Sequence, residues 1–86
     1  MMNSLKKAKL LWRCRRGMLE LDLILLDFAK KNLEKMSAEE LVTFEQLLNC
    51  TDPELFSWFM GHETPEEKEF VSLVKSIKHH DRFRSV

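Results

Sequence analysis

Three times between Met36 and Glu67 this chain spells the start of a helix, and nowhere does it spell a strand. Ser37 with Glu40 forms a capping box, and Met36 with Leu41 supplies the matching hydrophobic staple. Asp52 followed by Pro53 reads as an N-cap and first-turn proline. Thr64, Pro65 and Glu67 repeat the pattern. Each start precedes a short apolar segment at helical spacing: Leu41, Phe44 and Leu48; then Leu55, Phe56, Trp58 and Phe59, stopped by Gly61; then Phe70, Leu73, Val74 and Ile77. The last segment ends among Lys75, Lys78, His79 and His80, basic residues that complement a helix C-terminus.

Two helices precede these. Leu5, Ala8 and Trp12, with Leu11 alongside, predict a first helix over about Ser4 to Arg15 with those residues inward. A second is expected from about Met18 to Glu34. Its apolar residues cover most of the circumference, as in a central helix packed on several sides. Glu20, Asp27, Lys31 and Glu34 form its polar stripe, so Glu20 belongs outside. Asp22 instead falls among Leu19, Leu25, Leu26, Ala29 and Leu33, where a carboxylate must find donors. A structural role follows, with free backbone N–H groups or the indole of Trp12 or Trp58 as partners. The fold class is therefore all-α, a small single-domain five-helix bundle. One domain covers residues 1–86, with about 4–79 ordered and 80–86 as a flexible tail.

Composition limits function. With 44% hydrophobic and 33% charged residues the chain is an ordinary globular domain. The formal net charge is zero, but Lys6, Lys7, Lys9, Arg13, Arg15 and Arg16 all precede Glu20, the first acidic residue. That segment reads as a solvated helix face, a nucleic-acid contact or a protein contact. Cys14 and Cys50 lie far apart with no metal-ligand spacing, and are expected as free buried thiols in a reducing compartment, with a structural disulfide as the alternative. No apolar run is long enough to span a bilayer, and no signal or transit segment is evident. Direct membrane insertion is not expected, and a bacterial-type cytoplasmic location is. No nucleophile–base order, phosphate loop or zinc motif occurs, so no catalytic and no metal-binding residues are assigned.

The chain has only two glycines, and one of them, Gly17, sits between Arg16 and Glu20. A helical Arg16–Glu20 pair would contribute about 0.3 kcal/mol. A helical glycine between them would cost about 1 kcal/mol against alanine. Gly17 therefore reads as a left-handed turn residue, as bare backbone for a partner, or as both.

The run Trp12-Arg13-Cys14-Arg15-Arg16-Gly17-Met18-Leu19-Glu20-Leu21-Asp22 resembles the RGxxE signature of the succinate dehydrogenase flavinylation and assembly factors. The run from Leu47 to Trp58, with Asp52-Pro53 opening a helix that ends in Trp58, resembles that family's second landmark. Order, spacing and length agree from about Lys6 to Lys78. The resemblance implies a chaperone-like, non-enzymatic factor that binds the flavoprotein subunit of succinate dehydrogenase, or of fumarate reductase, and promotes covalent attachment of FAD to a histidine of that subunit. It implies no cofactor held stably by this chain, since the FAD ends on the partner. It carries partner binding to Arg16, Gly17 and Glu20, with Arg15 and Arg13 as secondary contacts, and leaves Trp12, Asp22, Asp52 and Trp58 to structure. The alternative from another class is a basic helical nucleic-acid-binding or antitoxin-like regulatory module. The zero net charge and the adjacent glycine set a protein partner ahead of nucleic acid, which is not expected to bind.

Overall fold

The computed structural model of the protein describes residues 3–82. Its elements run α1 (Ser4–Arg13), α2 (Leu19–Asn32), a 3-10 turn (Leu33–Lys35), α3 (Ala38–Leu47), α4 (Asp52–Phe59) and α5 (Lys68–Arg82). All the regular elements among the described residues are helical, as the periodicity predicts. The Cα radius of gyration is 12.1 Å, close to the roughly 12 Å expected of a compact chain this long.

α2 is the central element. It packs against α1, α4 and α5, while α3 closes on α5. It buries Leu21, Ile24, Leu25, Phe28 and Ala29, and Leu33 follows in the 3-10 turn. Phe44 and Leu47 of α3, Leu55 and Phe59 of α4, and Leu73, Val74 and Ile77 of α5 complete the core. Of the residues expected inward on α3 and α5, Phe44, Leu48, Leu73, Val74 and Ile77 are buried, while Leu41 and Phe70 are half-buried against them. The capping box at Ser37 also forms, with Ser37 Oγ accepting from Glu40 N at 3.2 Å and Glu40 Oε1 accepting from Ser37 N at 2.8 Å. At Gly61 the chain turns through φ +80° and ends α4 as expected.

Five local expectations change. The inward face of α1 is Leu10 and Cys14, with Leu11 half-buried, and not Leu5, Ala8 and Trp12. Two residues of helix turn the direction by about 200°, so burying Leu10 sends Trp12 outward. α1 also ends at Arg13, and the cap of α4 falls one residue early. There Thr51 Oγ1 accepts from Glu54 N and Glu54 Oε1 accepts from Thr51 N. The Asp52 carboxylate is engaged elsewhere, by Arg16.

α5 begins at Lys68, later than the Thr64 signal. Pro65 is buried, and the N–H groups of His62 and Glu63 turn back to the Ser57 carbonyl, so the chain reaches α5 by a non-helical path. At its other end α5 continues through residues 80–82, part of the expected tail. His80 Nε2 meets Asp27 Oδ2 at 2.7 Å, and its ring stands edge-on to Phe28, 5.7 Å between centroids. Residues 83–86, the rest of that tail, lie outside the described residues.

Candidate functional site

The α1–α2 loop is built by two clamps. Cys14 caps α1, its N–H bonding back to Leu11, and Arg15 N donates to the Trp12 carbonyl at 3.0 Å. Arg16 N then donates to Asp22 Oδ1 at 2.6 Å. Asp22 is half-buried and holds the structural role expected of it. Its donor is the loop backbone and not an indole.

The side chain of Arg16 runs inward. Nη1 donates to the Leu48 carbonyl at 2.8 Å, Nη2 to the Cys50 carbonyl at 2.7 Å, and Nε to Asp52 Oδ1. Carbonyls at the end of α3 lack helical partners, and a guanidinium fork suits several acceptors at once. Arg13 grips the same junction, donating to Asn49 Oδ1 and, at 3.3 Å, to the Glu45 carbonyl. Between the arginines Cys14 is fully buried. Burial pushes its thiol up to about 12 against the lowering fields of Arg16 and Arg13.

Held this way, Gly17 has φ +86°, and a Cβ built on it would meet no atom within 4 Å. Its backbone therefore faces open space in a conformation that L side chains rarely adopt. Glu20 is exposed on the first turn of α2 and has no hydrogen bond or ion pair within the described residues. Its position favours a negative charge, being near a helix N-terminus. Arg15 is exposed, its guanidinium 6.0 Å from the centroid of the Trp12 ring.

The five expected contact residues thus divide. Gly17, Glu20 and Arg15 reach outward. The Arg16 and Arg13 guanidinium groups are occupied within the chain, so the expected bonding of Arg16 to a partner's carboxylates or carbonyls gives way to an internal clamp. Glu20 makes no hydrogen bond to Arg16, whose Nε, Nη1 and Nη2 bond to Asp52 and to the Leu48 and Cys50 carbonyls. Sequence reasoning missed the outward apolar residues of this region. Trp12 is 71% and Leu19 74% exposed, with Met18 and Leu23 over a third. The signal available was Leu10 and Cys14, four residues apart on a face that excludes Trp12.

Three of the six basic residues before Glu20 pair with carboxylates: Lys6 with Glu45 at 3.6 Å, Lys7 with Glu34 at 3.1 Å, and Arg16 with Asp52. Among the described residues no group of three or more His, Cys, Asp or Glu could hold a metal ion. No described helix is long and apolar enough to cross a membrane.

Fold and site together give a small helical bundle that fixes one loop so that bare backbone at Gly17, the Glu20 carboxylate and exposed apolar side chains face outward. A family profile described as flavinator of succinate dehydrogenase matches residues 8–81. An FAD assembly factor SdhE of Legionella pneumophila (strain Lens) is 45% identical over 80 residues, covering 93% of this chain and all of that one. An FAD assembly factor SdhE of Colwellia psychrerythraea is 48% identical over 74 residues, covering 86% of this chain and 81% of that one. A solution structure of a protein designated UPF0350 superposes with TM-score 0.80 at 36% identity, covering 95% of this chain and 87% of that one. The chain belongs to the family of succinate dehydrogenase flavinators.

Proposed function

We propose that this protein binds the flavoprotein subunit of succinate dehydrogenase and promotes covalent attachment of FAD to it, as a non-enzymatic assembly factor. The observation that carries this reading is the outward pair of Gly17 backbone, in the clamped α1–α2 loop, and Glu20 carboxylate, on the first turn of α2, in a chain of this family. Gly17 admits close approach of the client's backbone, and Glu20 accepts hydrogen bonds from the client's donors. Arg15 adds a secondary contact. Arg16 and Arg13 contribute from inside by holding the loop.

The factor needs no reactive group of its own. Holding the client so that flavin and acceptor histidine sit in attack geometry lowers the entropic part of the barrier. The FAD remains with the client. The same docking loop would serve a fumarate reductase flavoprotein subunit, and the cytoplasm is the place assigned for both.

The test is covalent flavin fluorescence on denatured flavoprotein subunit from cells with and without this chain. Expected is a strong drop on deletion, restored by wild type and not by Glu20→Ala. Unchanged fluorescence for both the succinate dehydrogenase and the fumarate reductase subunits refutes the proposal.

A further inference from the structure

Trp12 is the largest side chain the bundle leaves outside. Its indole is 71% exposed, and large aromatic side chains ordinarily supply buried area. α1 buries Leu10 and Cys14 without it, so no packing requirement explains its presence. Single exposed apolar residues are ordinary. Here they bracket one loop: Trp12 and Arg15 before Gly17, Met18 and Leu19 after it, and Leu23 one helical turn beyond Leu19. At about 3.8 Å between consecutive Cα atoms, Arg15 and Leu19 each lie within about 8 Å of Gly17. Arg15 is itself hydrogen-bonded to the Trp12 carbonyl.

Charge narrows what covers this surface. Lys6, Lys7 and Arg16 pair with Glu45, Glu34 and Asp52, while Arg13 is held by the neutral Asn49 amide and the Glu45 backbone carbonyl. Lys9 and Arg15 are exposed and, like Arg13, have no carboxylate partner within the described residues. Arg15 lies over the indole face, where a cation gains from the ring quadrupole. Trp and Arg are the residue types most enriched among those that dominate binding energy.

We propose that Trp12 and Arg15 form an aromatic–cation anchor, seated in an apolar recess rimmed by carboxylates on the flavoprotein client, beside the contact made by Gly17 and Glu20. This rests on the docking reading above and extends it to residues outside the RGxxE run. Trp12 provides the area removed from water. Arg15 holds the ring from one side and offers its remaining N–H groups to the carboxylate rim. Leu19 and Met18 extend the apolar surface beyond Gly17.

The experiment titrates purified flavoprotein subunit with the wild-type chain and with Trp12→Ala, Trp12→Phe, Arg15→Ala and Glu20→Ala. A parallel series uses a Trp58→Phe background, in which Trp12 is the sole indole, since the chain has two tryptophans. Trp12→Ala is expected to weaken binding by about 30-fold or more, the level that marks a dominant interface residue. Trp12→Phe should recover part of that loss. Arg15→Ala should weaken binding less, with a difference from wild type that shrinks in high salt. Trp12 emission should shift to the blue as client is added, while the thermal midpoint of each variant stays within about 3 °C of wild type.

If Trp12→Ala binds within about threefold of wild type while Glu20→Ala does not bind, docking stands and the anchor falls. If the wild type itself does not bind, the docking reading fails and takes the anchor with it. If Trp12 emission shifts when the chain alone is concentrated, and Trp12→Ala turns a sedimenting dimer into a monomer, the surface joins two copies of this chain and the client assignment is overturned.

Discussion

Replacing Arg16 by alanine tests whether that side chain belongs to the fold or to the partner. Its guanidinium makes three charge-assisted bonds, to the Leu48 and Cys50 carbonyls and to Asp52. The side chain is 16% exposed and that of Asp52 38%. Breaking a fully buried ion pair costs about 3–5 kcal/mol. Solvent reaching Asp52 moderates that figure, while two stranded carbonyls add to it, so a loss of about 3 kcal/mol is expected. Unfolding carries about 2.1 cal/mol/K per residue, hence about 0.18 kcal/mol/K for this chain, and the thermal midpoint should fall by about 17 °C. Arg16→Lys keeps the charge without the fork and should lose about half as much. Melting followed by circular dichroism reads both, and a double-mutant cycle with Asp52→Asn should return a coupling of about 1 kcal/mol or more. A fall of less than about 4 °C for Arg16→Ala, with no coupling to Asp52, would refute the clamp and return Arg16 to the partner surface.

Gly17→Arg should abolish client binding and lower the thermal midpoint by only about 6–11 °C, the strain of φ +86° being about 1–2 kcal/mol. Gly17→Asn tolerates that backbone better; if it restores stability but not binding in a pull-down, bareness and not conformation is what the client requires. Burial tends to raise the Asp27 pKa, but hydrogen bonds from His80 and Lys31 outweigh it and hold the carboxyl below its ordinary value. Its stabilisation is therefore complete above the unfolded carboxylate range, about pH 4 and upward, and is lost as pH falls through the lowered value. The midpoint advantage of wild type over Asp27→Asn should close in acid. A thiol reagent should label native protein once, at Cys50, and Cys14 only on unfolding, as peptide mass mapping reads out. Burial raises the Cys50 thiol as well, with Glu54 and Glu67 adding to it, so that labelling should be slow.

The helices were legible because their signals are local. Ser37 and Glu40 lie three residues apart and meet through one helical turn, and Gly61 marks a stop that depends only on its own φ. Glu20 was placed outside by helical phase alone. What escaped required contacts across the chain. Arg16 reads as a surface cation until the α3–α4 junction, more than thirty residues away, brings three acceptors to it. Asp52 reads as a cap for the same reason, since its competing use by Arg16 is invisible in the local run. Trp12 and Leu10 both fit a helical stripe of α1, and only packing against α2 selects Leu10. The late start of α5 turns on the burial of Pro65, which no spacing announces.

The clamp on the α1–α2 loop has a consequence for how this protein meets anything. Surface loops commonly open for a small fraction of the free energy that unfolds the whole molecule. Here the backbone N–H of Arg16 is bonded to Asp22 of α2, and its side chain is bonded to the junction of α3 and α4. The loop cannot leave its conformation without detaching from three helices at once. Hydrogen exchange at the Arg16 amide should therefore be nearly as slow as that of the core helices. Exchange that slow would mean that nearly every folded molecule already holds the loop shape of the proposed contact, with no affinity lost to a minority population.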